Sequence, residues 1–135
     1  MSSRSPYDFA VIRIVPRVDR EEFINAGVVV FCPARQYLEA KVLIDEPRLK
    51  ALWPDLDIAL IRQHLEPFPK VCCGDPNAGP IAQKPLRDRF HWIVSPRSTM
   101  IQISPVHTGL TENPDSTLTE LYEKQVAVNR LATRP

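Results

Sequence analysis

The sequence is short of cysteine, of glycine and of any excess charge, and each shortage removes a class of protein. Its three cysteines, Cys32, Cys72 and Cys73, are an odd set with two adjacent members, a poor disulfide framework. No paired CxxC and no histidine at ligand spacing accompanies them, so no zinc or other metal site is expected, and no cofactor. Seventeen basic residues stand against sixteen acidic ones, a formal net charge of +1. That balance gives no global attraction to nucleic acid or to an acidic membrane. No apolar run approaches the ~20 residues of a membrane span, and no hydrophobic N-terminal stretch reads as a secretory signal. Reduced thiols and a cytoplasmic location are the expectation. The four glycines form no phosphate loop, and no nucleophile–base motif is present.

Proline is the abundant residue. Fourteen in 135 is about twice the usual share of ~5%. They fall at element ends and cut the chain into short pieces. A hydrophobic fraction of 44% and a charged fraction of 24% are those of a globular chain. The length suits one domain able to bury a core. The expected organisation is a flexible N-terminus over 1–6, a single domain over 7–128, and a flexible tail over 129–135.

Alternation predicts a strand from Tyr7 to Pro16. The continuous apolar run Ala26 to Cys32 predicts a strand buried on both faces. Tyr37 to Ile44 alternates again and should pair antiparallel with it across a short link. Asp45 should cap a helix over Glu46 to Trp53, and Leu56 to Glu66 reads as a second helix. Val71 to Pro85, rich in turn formers, reads as a surface loop. Arg89 to Ser95 and Thr99 to Pro105 read as two strands. Ser95-Pro96-Arg97-Ser98 between them would be a type I turn closing a hairpin. Asn113-Pro114 opens a last helix with Leu118, Leu121, Tyr122 and Val126 on one stripe. The resulting class is α+β: a mostly antiparallel five-stranded sheet with about three helices packed on one face. The core is expected at Val11, Val28, Val30, Leu43, Ile61, Ile93 and Leu121.

The chemistry-bearing side chains concentrate between Arg89 and Leu110. His91 and His107 with Arg97 would supply a base, an acid and a cation, the minimum for metal-free phosphodiester chemistry. The competing reading makes His91 a strand-face residue and His107 a loop hydrogen-bonder. Arg97, Ser98 and Thr99 at a hairpin tip would hold a phosphate or a partner's carboxylate, with Arg89 nearby. At such a tip Arg97 would contribute little to stability, within about 0.5 kcal/mol. His107-Thr108-Gly109-Leu110 reads as a shaped turn, with Gly109 at positive φ aiming His107 and Thr108. Glu22 and Asn25 are further candidate ligand contacts, and Asn25 near Gly27 suggests a bulge. Trp92 beside Phe90 reads as core before it reads as a stacking platform.

Several of these pieces together resemble one bacterial family, catalogued as domain of unknown function 3037. They are Tyr7-Asp8-Phe9-Ala10-Val11-Ile12-Arg13, Glu22-Phe23-Ile24-Asn25-Ala26-Gly27-Val28, Arg89-Phe90-His91-Trp92, Pro96-Arg97-Ser98-Thr99 and His107-Thr108-Gly109-Leu110. The resemblance spans nearly the whole chain. It implies a small stand-alone protein, in some members encoded beside a HipA-like serine/threonine kinase, and hence a protein partner. It carries over no catalytic residues. Two functions remain open: a non-catalytic interaction or regulatory module, or a metal-independent nucleotide- or phosphodiester-handling enzyme using His91, His107 and Arg97. A small anionic ligand is compatible with either. Binding to membrane or nucleic acid is not expected.

Overall fold

The computed structural model describes residues 3–97 and 99–127. Ser98 and the expected flexible tail over 129–135 lie outside the described residues. Five strands form one antiparallel sheet: β1 (Ser5–Ile14), β2 (Ile24–Cys32), β3 (Tyr37–Val42), β4 (Ile101–Ile103) and β5 (His107–Thr111). The order is β3-β2-β1-β4, and β5 also pairs with β1, beyond β4. β1 begins at Ser5, inside the stretch expected to be loose, because Arg35 holds it. The Arg35 guanidinium donates to the Ser3 carbonyl at 2.8 Å and to Ser5 Oγ at 3.2 Å.

β2 is buried on both faces, as its unbroken apolar run requires. Its alternation divides the core in two. Val29 and Phe31, with Ala10, Ile12 and Ile14 of β1, point to one face. There they meet α1 (Glu46–Leu52), α2 (Ile58–Leu65), α3 (Pro67–Cys73) and α4 (Leu86–Val94). Val28 and Val30 point to the other face, where Leu118 and Val126 cover them from α5 (Pro114–Gln125) and just beyond its end. The helices therefore divide between the two faces, four against one, in place of the single covered face expected. The expected core residues Val11, Val28, Val30, Ile61 and Ile93 are buried, while Leu43 and Leu121 are half-buried at the margin of the α5 layer.

Two segments form helix where the residues suggested otherwise. Arg89 to Ser95 is not a strand, and no hairpin joins it to the next segment. Begun at Leu86, the apolar positions are Leu86, Phe90, Ile93 and Val94, which is helical spacing. Phe90 stacks on Phe31 of the sheet, with ring centroids 4.9 Å apart. The expected loop from Val71 begins inside α3. Pro67 does not end the preceding helix but opens a new one, at a position where its missing N–H costs nothing. Gly74, at φ 72°, ends α3, a left-handed conformation that glycine adopts without penalty. Phe68, Val71 and Cys72 of α3 are core residues.

At the other end of β1 the expected bulge is present. Ile12 lies opposite Gly27 but Arg13 lies opposite Asn25, so Ala26 is the extra residue. The bulge brings Asn25 and Arg13 side by side on the α5 face.

Candidate functional site

The arginines of the chemistry-rich segment are spent inside the fold. Arg89, on α4, donates from Nε to the Lys84 carbonyl at 2.8 Å. Its Nη1 donates to the carbonyls of Val71 and Cys72 at 3.2 and 2.8 Å, closing the C-terminal end of α3. Arg97 does the same for α4. Nη2 donates to the Trp92 carbonyl at 2.9 Å, and Nη1 to Ile93 at 2.6 Å and Ser95 at 3.1 Å. Its guanidinium lies 5.2 Å from the Phe68 ring centroid and 5.0 Å from that of Trp92. Burial pulls its pKa below the usual arginine value. The tip of a hairpin is therefore replaced by a helix C-terminus, and the exposed cation by a clamp. Thr99 Oγ1 donates to the Ile101 carbonyl at 3.2 Å.

The two histidines are on opposite sides of the sheet. His91 is exposed on α4, whose Phe90 and Ile93 pack on the four-helix face. His107 is the first residue of β5 and lies opposite Phe9, with ring centroids 5.2 Å apart, on the α5 face. The acid–base–cation set of His91, His107 and Arg97 is not assembled. Nor is 107–110 a turn: it is strand, and Gly109 has no positive φ. Gly109 is required for space, because a Cβ there would meet the Tyr7 ring at 2.8 Å. Thr108 is exposed on the same strand, and Glu22 is exposed and paired with Arg20.

What the fold does gather is a cleft of about 450 Å³ on the α5 face, beyond the end of α5. Phe9, Val11 and Arg13 of β1 form its floor. Asn25, Ser104 and His107 stand around it, with Phe23 and Gln125 at the rim. The Arg13 guanidinium lies over the Phe23 ring, 4.2 Å from its centroid. It makes no hydrogen bond or ion pair among the described residues, and its Nε is sealed from solvent without a partner. Asn25 donates from Nδ2 to the Gln125 carbonyl at 2.9 Å, while its Oδ1 is buried and unpartnered. Ser104 is satisfied: its Oγ accepts from the Val11 N–H at 2.8 Å and donates to the Pro105 carbonyl at 2.9 Å. A buried polar atom left unpaired costs about 1–3 kcal/mol. Two of them beside one cleft call for an explanation.

Of the residues singled out in the sequence, Asn25 and His107 meet in this cleft. Arg13 and Phe23 join them there. The signal for Arg13 was its place in β1, a cation on the alternation that carries Phe9 and Val11. A larger groove of about 670 Å³ runs between β3 and α5, lined by Glu39, Lys41, Asp115 and Glu120 among others. There Tyr37 Oη donates to Asp115 Oδ1 at 2.8 Å, and burial followed by that bond raises the tyrosine pKa. It holds none of the candidate residues and no unpartnered buried atom among the described residues.

Residues 9–126 match the family described as Protein of unknown function (DUF3037). The chain belongs to this family. No curated protein and no solved structure matches it. Among the described residues no group of three His, Cys, Asp or Glu side chains is placed to hold a metal. No described helix is long and apolar enough to cross a membrane.

Proposed function

We infer that this DUF3037 chain is a non-catalytic interaction module of the bacterial cytoplasm, and that its Arg13 cleft receives an acidic or phosphate-bearing group from a protein partner. The observation that carries this reading is the unpaired Arg13 guanidinium beside the unpaired Asn25 Oδ1. An arginine fork suits a carboxylate or phosphate, and the buried Asn25 Oδ1 beside it leaves the guanidinium without a competing carboxylate of its own. Phe9, Phe23 and Val11 offer apolar contact around that polar pair. Near-zero net charge on the whole chain leaves selectivity to this local site. His91 and His107 lie on opposite sides of the sheet, which does not favour the alternative of a metal-independent nucleotide- or phosphodiester-handling enzyme using His91, His107 and Arg97. The partner class that the family resemblance implies is a HipA-like serine/threonine kinase encoded nearby.

The test is titration calorimetry of the purified chain against that kinase, wild type beside Arg13→Ala. Arg13 makes no hydrogen bond or ion pair among the described residues, only its contact over the Phe23 ring, so the variant should melt within a few degrees of the wild type. Loss of a charge-assisted contact of about 1.5–3 kcal/mol would weaken binding by roughly 10- to 150-fold. No saturable binding to the kinase refutes the partner. Binding that Arg13→Ala leaves untouched refutes the cleft.

A further inference from the structure

The two edges of the sheet are built differently. β3 closes one side and carries the charged residues Glu39 and Lys41. Charge on an edge strand discourages pairing with another chain. The opposite edge is β4 followed by β5, both laid along β1. Between them sits a bulge: β1 runs from Ile12 to Phe9 while the edge runs from Ile103 to His107, one residue more. The bulge and Pro105 protect that part of the edge. β5 itself, His107-Thr108-Gly109-Leu110-Thr111, contains no proline and no lysine, arginine, aspartate or glutamate.

The outward groups of β5 follow from its ladder. The Ser104 N–H donates to the Val11 carbonyl at 2.9 Å, so the odd-numbered residues of β1 bond toward this edge. Their β5 partners are His107, Gly109 and Thr111. Thr108 and Leu110 therefore turn their N–H and C=O groups outward. Leu110 is 62% exposed and Val106 43%.

We propose that β5 joins two copies of this chain, pairing antiparallel with itself about a two-fold axis at Gly109. In this register Thr108 of one copy lies opposite Leu110 of the other, so the outward backbone groups of both residues satisfy each other. Gly109 faces Gly109, where no side chain intervenes, and His107 faces Thr111. The strand is its own complement, as an isologous contact requires. It offers no charge that would select a foreign sequence. Glu112 of each copy lies opposite Val106, about 20 Å from its own counterpart at ~3.3 Å per residue, beyond the ~10 Å screening length. A net charge of +1 adds little repulsion. The axis is normal to the sheet, so both α5 faces, and both clefts, lie on the same side. A five-residue edge buries little, so the interface is of the small, reversible kind below about 1,200 Å².

Sedimentation velocity across a concentration series tests the proposal on the full chain. The wild type should show a reversible monomer–dimer equilibrium. Thr108→Pro deletes an outward N–H and leaves the β1 ladder intact. Leu110→Lys sets like charges close to the axis. Each should leave a monomer at every concentration with an unchanged melting temperature, and Leu110→Lys serves if the proline variant fails to fold. In hydrogen exchange, the Thr108 and Leu110 amides should become protected only at high wild-type concentration. Glu120→Lys, away from this edge, and Arg13→Ala, whose β4 neighbour Gln102 lies outside the paired stretch 107–111, should dimerise normally, which separates this inference from the cleft reading. A wild-type chain that stays monomeric overturns the proposal, whether or not a foreign strand binds the same edge. So does a dimer that persists in Leu110→Lys.

Discussion

Arg97→Ala should cost the fold about 2–3 kcal/mol, although the residue sits in a short connection with a polar neighbourhood in sequence. The side chain closes the last turn of α4 through the carbonyls of Trp92, Ile93 and Ser95. Hydrogen bonds from a charged group contribute about 1.5–3 kcal/mol, and these three share one guanidinium, so they do not add in full. The contacts with the Phe68 and Trp92 rings supply roughly 0.5–1 kcal/mol more. Arginine stays charged even with its pKa lowered by burial, so the loss should not depend on pH near neutrality. For a chain of this size each kcal/mol moves the melting temperature by roughly 4 °C, so a fall of about 8–12 °C is expected by circular dichroism at 222 nm. Arg97→Lys should recover less than half, because a single ammonium nitrogen lacks the planar fork whose two nitrogens reach the Trp92, Ile93 and Ser95 carbonyls together. A fall of less than about 2 °C for Arg97→Ala would refute the clamp. It would return Arg97 to the role of an exposed surface cation.

Gly109→Ala should destabilise by about 1–3 kcal/mol through overpacking, since its Cβ would meet the Tyr7 ring. Tyr7→Ala in the same chain should relieve that cost, and strict additivity in denaturant titrations would show that the ring is not the obstacle. Of the three free thiols, Cys73 is exposed whereas Cys32 and Cys72 are buried, and burial raises the Cys72 pKa. A chromogenic disulfide reagent should therefore label one thiol quickly in the native protein and the other two only on unfolding; three fast thiols would contradict the packing of both β2 and α3.

Where a segment's burial follows from its own residues, the sequence was readable. The apolar run of β2, the alternation of β1 and β3, and the Asn113-Pro114 opening of α5 each carry their structure locally. The antiparallel α+β class follows from those elements and the short links between them. The bulge at Ala26 was legible for the same reason, from Asn25 and Gly27. α4 was not, because its β-rich residues 90–94 outweigh the helical spacing that starts only at Leu86. α3 was hidden by Pro67 and Pro69, which read as stops until a neighbouring element gives Phe68 and Val71 something to bury against.

The site shows the same division. The sequence by itself determined that a small, nearly neutral chain carries arginines, histidines and asparagine without a catalytic motif. It could not say which arginines were free. A guanidinium has the same five donors wherever it stands, and its role depends on which carbonyls the fold leaves unsatisfied nearby. Tertiary packing brought the ends of α3 and α4 to Arg89 and Arg97 and gave those two residues structural partners. It placed His91 and His107 on opposite faces of the sheet, by helix position and by strand register. And by the one-residue bulge it set Asn25 beside Arg13 while supplying Arg13 no hydrogen-bond partner among the described residues, the one combination that local sequence could not contain.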